Sequence, residues 1–240
     1  MAEHMIKAYE DELARLSGLL ARMGGLAEAQ LADAIDAIVR RDVALADRII
    51  ETDIQIDQLD REIEALAVRL LALRQPMGPD LRQIVSASRI GTDLERIGDL
   101  AKNLAKRVPI LSQATPMRAV RGLERMGRQV LGQLKDVLDA LSARDADAAR
   151  IVWQRDEEID DMNNSLFREL LTYMMEDPRT ITVSTHLLFI SKNLERVGDH
   201  CTNIAETIHY LSTGSTFEGD RPKAVGAYDT SDATGDPGEG

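Results

Sequence analysis

"DLERIGDLAKN" (residues 93–103) and "NLERVGDHCTN" (residues 193–203) are one string written twice, one hundred residues apart. The repeat extends upstream. "RDVALADRIIETDIQID" (41–57) aligns with "RDADAARIVWQRDEEID" (144–160) at an offset of 103, placing Asp42 on Asp145, Asp53 on Asp156 and Asp57 on Asp160. The offset shrinks by three residues between these blocks, so loops have shortened while the segments around them kept register. That pattern marks an internal duplication.

Working outward from the repeated string, apolar residues recur at three- and four-residue spacing through most of the chain, the helical period. Aromatics make up only 3% of the residues, a poor supply for sheets. The reading gives six helices. The first runs from about Met5 to Arg40, loosened at Gly24-Gly25, where two glycines weaken a helix by roughly 2 kcal/mol relative to alanines. Asp42 caps a second helix that ends near Leu73. "QPMGP" (75–79) breaks the chain, and a third helix runs from Pro79 to about Val108. "PILSQATP" (109–116), bracketed by prolines, is the expected boundary. Beyond it the pattern restarts: about Met117 to Ala143, an Asp145-capped helix to about Glu176, and Pro178 to about Ser212. Three long helices joined by short turns pack as an antiparallel bundle.

The predicted fold is therefore all-α: two tandem antiparallel three-helix bundles at 1–112 and 113–213. A disordered acidic C-terminal tail is expected at 214–240, where Gly, Ser, Thr, Pro and Asp displace the helical period.

A net charge of −12 and the lack of a Lys/Arg block argue against nucleic acid as a partner. An acidic chain suits cations or basic surfaces. Cys201 is the only cysteine, which rules out an intramolecular disulfide. No stretch approaches twenty uninterrupted apolar residues, and Met1–Glu12 lacks the apolar core of a secretory signal. The expectation is a cytoplasmic protein without direct membrane insertion.

Each residue of a helix turns about 100°, so Glu95, Asp99 and Asn103 share an arc of roughly 80°. Leu94, Ile97, Ala101 and Leu104 lie opposite and are assigned to the core, leaving the polar stripe at the bundle surface. The copy sets Leu194, Val197, Cys201 and Ile204 against Glu195, Asp199 and Asn203. Gly98 and Gly198 fall between the paired acids and open space beside them. Asp53 with Asp57, and Asp156 with Asp160, have the same i, i+4 spacing on the preceding helices. If those helices are antiparallel neighbours, each bundle gathers four carboxylates in one patch. Like charges so placed destabilise a helix. A hard cation offsets that cost, because such ions take several oxygen ligands and bridging carboxylates.

A single acid pair is weak evidence: with 41 acids in 240 residues, chance alone supplies roughly seven at this spacing. Most single pairs are solvated faces. Recurrence of Leu-Glu-Arg-x-Gly-Asp-x-x-x-Asn in two otherwise diverged halves favours metal binding over Glu–Arg pairing. Arg96 and Arg196 are read as salt-bridge partners of neighbouring acids. His4, His186, His200 and His209 have no counterparts in the other half. Only Glu206-x-x-His209 has the Glu-x-x-His spacing of di-iron bundles, which need two such elements. Cys201, Trp153, Phe167 and Phe189 are expected in the core. No nucleophile–base constellation, Gly-rich phosphate loop or zinc-type Cys/His spacing stands out.

The tandem three-helix repeat, the paired "DIQID" and "DEEID", and the doubled "LERIGD" and "LERVGD" together closely resemble the PhoU family of phosphate-specific transport accessory proteins, over about residues 5–212. The resemblance implies a cytoplasmic, usually dimeric, non-enzymatic negative regulator of the phosphate-starvation response. Its implied partners are the phosphate ABC transporter's ATPase and a phosphate-sensing histidine kinase. It also implies multinuclear metal sites on Glu/Asp-x-x-x-Asp motifs: Asp53 with Asp57, Glu95 with Asp99, Asp156 with Asp160, and Glu195 with Asp199. Asn103 and Asn203 join this ligand set as stripe neighbours. Mg, Mn or Fe would suit all-oxygen ligands. Asp93, replaced by Asn193 in the copy, departs from the repeat. The alternative reading is a carboxylate-bridged metalloenzyme of phosphohydrolase type.

Overall fold

The computed structural model describes residues 2–219, the side chains of 2–6 excepted. The described residues are mostly helical, with no strand among them. In order it comprises α1 (Ala2–Arg40), α2 (Val43–Thr52), α3 (Ile54–Arg74), α4 (Pro79–Ala105), α5 (Val108–Gln113), α6 (Val120–Ala143), α7 (Ala146–Gln154), α8 (Asp156–Glu176), a 3₁₀ turn (Pro178–Thr180) and α9 (Ile181–Thr213). All six expected helical stretches are present. They form the two tandem three-helix bundles, α1 to α4 and α6 to α9.

Two of the six are interrupted where the sequence suggested continuity. The ladder lapses at Asp53, between α2 and α3, and at Arg155, between α7 and α8, where φ −90° and ψ 4° leave helical geometry. The offset of 103 puts Asp53 on Asp156, so the two breaks fall one residue apart in the duplication. Each interruption starts a new helix at its acidic segment: Asp57 lies in the first turn of α3, and Asp156, Glu157 and Glu158 in that of α8. Exposed N–H groups at a helix start attract negative charge, so the repulsion expected of mid-helix acid pairs is partly offset.

Conversely, α1 passes through Gly24-Gly25 without a break. Packing explains why. Leu138 of α6 reaches within 2.6 Å of where a Gly24 β-carbon would sit, and Ile35 of α1 within 3.0 Å of the corresponding point at Gly127. Glycine on each helix admits an aliphatic side chain from the other. The "PILSQATP" stretch, expected as a boundary, contains the short helix α5 before the chain opens at 114–117.

Asp42 and Asp145 act as the caps read from sequence. Asp42 Oδ1 accepts from Leu45 N at 2.9 Å, and Asp145 Oδ1 from Asp147 N and Ala148 N at 2.9 and 3.0 Å.

Helices α4 and α9, which carry the repeated string, are the hubs. The first packs on α1 and α3, the second on α6, α7 and α8, and they pack on each other. Leu94, Ile97, Ala101 and Leu104 are buried with Leu194, Val197, Cys201 and Ile204, as the helical wheel required. Buried side chains of both repeats form one continuous core. Trp153 belongs to it, but Phe189 does not: its ring is half exposed beneath the Arg107 guanidinium, 4.7 Å from the centroid.

Most of the tail expected at 214–240 lies outside the described residues. Its first residues do not behave as a free tail. Phe217 stacks on His209 with centroids 4.1 Å apart, lies 5.0 Å from Trp153 and sits under Arg150.

Candidate functional site

Asp53 sits at the break between α2 and α3, and its carboxylate turns inward, 3% exposed. Buried carboxylates need partners. Gln30 of α1 donates to Asp53 Oδ1 at 2.9 Å and points the same Nε2 at the Gly98 carbonyl, 3.4 Å away. Lys102 of α4 donates to Asp53 Oδ2 and, at 2.6 Å, to Asp99 Oδ1. Burial alone would lower the lysine's pKa, but these hydrogen bonds and both carboxylate charges outweigh it and hold the ammonium above its usual range.

Outside this knot, Glu95 and Asp60 form a second acidic neighbourhood. Burial pushes the Glu95 carboxyl up, aided by Asp99 and then by Asp60 and Asp57 against the opposing Arg96. Asp60 is raised by burial, then by Glu64 and Asp57. The mutual influence places Asp57, Asp60, Glu95 and Asp99 in one field. Arg96 Nε lies 3.5 Å from Glu95 Oε2, the salt bridge read from sequence.

The second repeat places Asp156 as deeply as Asp53, again 3% exposed. Its surroundings differ. Thr202 stands where Lys102 stands in the first repeat, and its Oγ1 lies 3.0 Å from Asp156 Oδ1 and 3.1 Å from the Gly198 carbonyl. Gln133, the counterpart of Gln30, is 5% exposed, and neither of its side-chain polar atoms has a hydrogen-bond partner. Glu195 Oε1 accepts from the exposed Lys192 at 2.7 Å, while its Oε2 is buried without a partner. Asp160 and Asp199 are partly exposed beside this cluster.

Gly98 serves packing, a correction to the open space expected there: a β-carbon on it would meet Ile56 Cδ1 at 2.9 Å. One on Gly198 would sit at ordinary contact, 3.4 Å from Gln133 Oε1. The two asparagines point elsewhere. Asn103 accepts from Lys106 at 3.4 Å, and Asn203 donates across the repeats to Asp93 Oδ1, also at 3.4 Å.

Among the described residues no three His, Cys, Asp or Glu side chains stand ready to hold a metal ion. The expected patch of four surface carboxylates is not assembled, because Asp53 and Asp156 turn into the interior. In the first repeat the donor set does not fit a metal, since an ammonium already lies between Asp53 and Asp99. In the second, Asp156, Asp160, Glu195 and Asp199 are oxygen donors of the kind hard cations take, but Thr202 bonds Asp156 and the acids are not gathered around one point. A cation drawn to these acids would neutralise their charge and cross-link α8 to α9.

Sequence reasoning passed over Lys102, Gln30, Gln133 and Asp60. The i, i+3 spacing of Asp99 and Lys102, and of Asp57 and Asp60, was a usable signal. The two glutamines had only their matching places in the duplication. A groove of about 540 Å³, lined by Leu16, Leu20, Ile90, Leu138 and Leu211 among others, contains none of these acids.

No helix among the described residues is long and apolar enough to cross a membrane. The family model for the PhoU domain matches residues 20–108 and 123–208, one segment in each repeat. A phosphate-specific transport system accessory protein PhoU homolog of Caulobacter vibrioides is 56% identical over 224 residues, covering 93% of this chain and 97% of that protein. The homolog of that name in Rhizobium meliloti is 51% identical over 221 residues, covering 92% and 93%. The crystal structure of PhoU from Pseudomonas aeruginosa superposes with a TM-score of 0.84 at 41% identity, covering 86% of this chain and all of that one. With matches of this extent in both repeats, the chain belongs to the PhoU family.

Proposed function

We propose that this chain is a non-enzymatic, cytoplasmic accessory of phosphate-specific transport that negatively regulates the phosphate-starvation response. It does so by linking the phosphate ABC transporter to its sensor histidine kinase, as a homodimer whose second-repeat acids draw together around a divalent or trivalent metal. The observation that carries the reading is near-full-length similarity to relatives named as phosphate-specific transport accessory proteins, at 56% and 51% identity. The acidic balance, with its buried carboxylates beside two packed hub helices, supports the cation component.

Deletion of the gene, with a phosphatase reporter of the starvation response, tests the regulatory role. Expression in phosphate-replete medium is expected to become constitutive and to return to repression on complementation. The transporter ATPase and the histidine kinase are expected to copurify with the tagged chain. Unchanged repression in the deletion strain, together with no copurification, would overturn the proposal. Metal-dependent phosphohydrolase turnover abolished by Glu195→Gln would replace it with the enzymatic alternative.

A further inference from the structure

In a chain whose net charge is −12, the outer side of the α4–α9 pair gathers arginine. Arg82, Arg89, Arg96 and Arg107 fall within an arc of about 40° on the α4 wheel. Arg89 and Arg96 are exposed, and Arg82 and Arg107 are half-buried. The pairs Asp93–His200 and Arg107–His186 fix α4 and α9 as antiparallel, a register that sets the exposed Arg196 level with Arg96.

Carboxylates do not balance this stripe. Asp93 lies on it but is taken by His200, and Arg96 has Glu95 at 3.5 Å with the Asp60 charge nearby. Among the described residues Arg82, Arg89, Arg107 and Arg196 have no carboxylate partner, and Arg82 Nε is buried without an acceptor. A buried donor of this kind calls for a partner from elsewhere.

The chain's own continuation supplies acids. Gly214, where α9 stops, lies against the Arg82 guanidinium, whose Cζ is 3.5 Å from the place of a β-carbon. The segment after α9 therefore sets out from one end of the stripe. Residues 224–240, outside the described residues, hold Asp229, Asp232, Asp236 and Glu239 and no Lys or Arg. The spacings match. Arg82, Arg89 and Arg96 are seven positions apart, about 10 Å along a helix, and acids three or four positions apart are about 10–13 Å apart in an extended strand. From Phe217, stacked on His209, the chain to Asp229 can reach about 40 Å, enough to return to Arg82.

We propose that residues 229–239 dock along the α4 arginines of the same chain, with Asp229, Asp232 and Asp236 meeting Arg82, Arg89 and Arg96 in that order. Exposed ion pairs are individually weak, but one strand ties these together, so each pair raises the effective concentration of the next. The acidic segment thereby covers a cationic face that would otherwise be open to an acidic partner.

The test uses the full chain with Thr234→Cys carrying a maleimide dye. Cys201 is fully buried, so the introduced thiol alone takes the dye. In time-resolved anisotropy, the amplitude that decays at the tumbling rate of the whole protein reads docking. Most of that amplitude should be lost in Arg82→Gln/Arg89→Gln/Arg96→Gln, and in the otherwise unaltered chain as NaCl rises to about 0.5 M, where exposed pairs are screened. Removing the same charge from α6 and α8, with Arg121→Gln/Arg125→Gln/Arg168→Gln, should leave it high. Arg89→Asp should lower it, and adding Asp232→Arg should restore it, a rescue that a folding defect cannot mimic.

Equal amplitude with and without the three α4 arginines would overturn the proposal and leave the stripe to an acidic partner molecule. Loss of amplitude on adding excess unlabelled chain would give the stripe to a second copy and overturn docking within one chain. Absence of the Asp232→Arg rescue would overturn the stated pairing.

Discussion

The imidazole Nδ1 of His200 lies 2.8 Å from Oδ1 of Asp93, a pair that joins the repeated strings of α4 and α9 to each other. Both positions differ between the copies: Asp93 corresponds to Asn193, and His200 to Leu100. The departure at position 93 thus marks a residue with a structural task between the repeats. Both side chains are mostly buried, at 16–17% exposure. A double-mutant cycle of Asp93→Ala and His200→Ala, followed by urea unfolding, should give a coupling of about 0.5–2 kcal/mol. Additive effects would show that the pair contributes nothing beyond packing.

The paired glycines should respond unequally to alanine. Replacing Gly198 adds a β-carbon at ordinary contact distances, 3.4 Å from Gln133 Oε1 and 3.5 Å from Ile159. Gly198→Ala should therefore express much of the helix-propensity gain of about 1 kcal/mol. Gly98→Ala meets Ile56 at 2.9 Å inside the core, and moving that side chain offsets the gain. Thermal unfolding is expected to rank Gly198→Ala above Gly98→Ala by about 1 kcal/mol.

How much of this was legible in the sequence varied with the range of the interaction. The duplicated strings and the helical period are local patterns, and they were enough for two three-helix bundles with α4 and α9 facing the core as drawn. The lapses at Asp53 and Arg155 left no local trace, because apolar spacing continues across them and the partners of the Asp53 carboxylate lie 23 and 49 positions away. The spacing of Lys102 from Asp99 was legible, but only the packed helices bring Asp53 to it. Phe189 misled because aromatic character was equated with burial, whereas Arg107 covers its ring from outside.

Phe217 should anchor the segment that follows α9. It contacts His209, Arg150 and Trp153, and Trp153 is the chain's single tryptophan. The indole N–H also donates to Glu206 Oε1 at 3.0 Å. Phe217→Ala is expected to cost about 1–3 kcal/mol and to red-shift intrinsic fluorescence as water reaches the indole. An unchanged emission maximum would show that the ring does not shield Trp153.

Acid should weaken the fold through two histidines. Burial and then Arg107 lower His186, whose Nδ1 lies 3.1 Å from the Arg107 guanidinium and so accepts a hydrogen bond from its N–H. Burial and then Arg150 lower His209, with Asp147 opposing. A histidine with a lower pKa folded than unfolded binds fewer protons in the folded state. Its favourable contribution is complete above the ordinary value of about 6.5 and is lost as pH falls from there through the folded pKa. Tm should drop from about pH 6.5 downward, and His186→Gln with His209→Gln should flatten that slope. A slope unaltered in the double variant would place the acid sensitivity elsewhere.

The break at Asp53 also bears on how the first repeat acquires its structure. Among the described residues the carboxylate at the junction of α2 and α3 is satisfied by Gln30 from α1 and Lys102 from α4, so the junction has no local reason to adopt its native shape. A nascent hairpin of α2 and α3 would leave that acid hydrated and the connection free to bend. Only when α1 and α4 have both docked does interior burial of Asp53 become favourable. The junction therefore couples the four segments into one cooperative unit, so that amide exchange on either side of Asp53 should report the opening of the whole first repeat rather than local fraying.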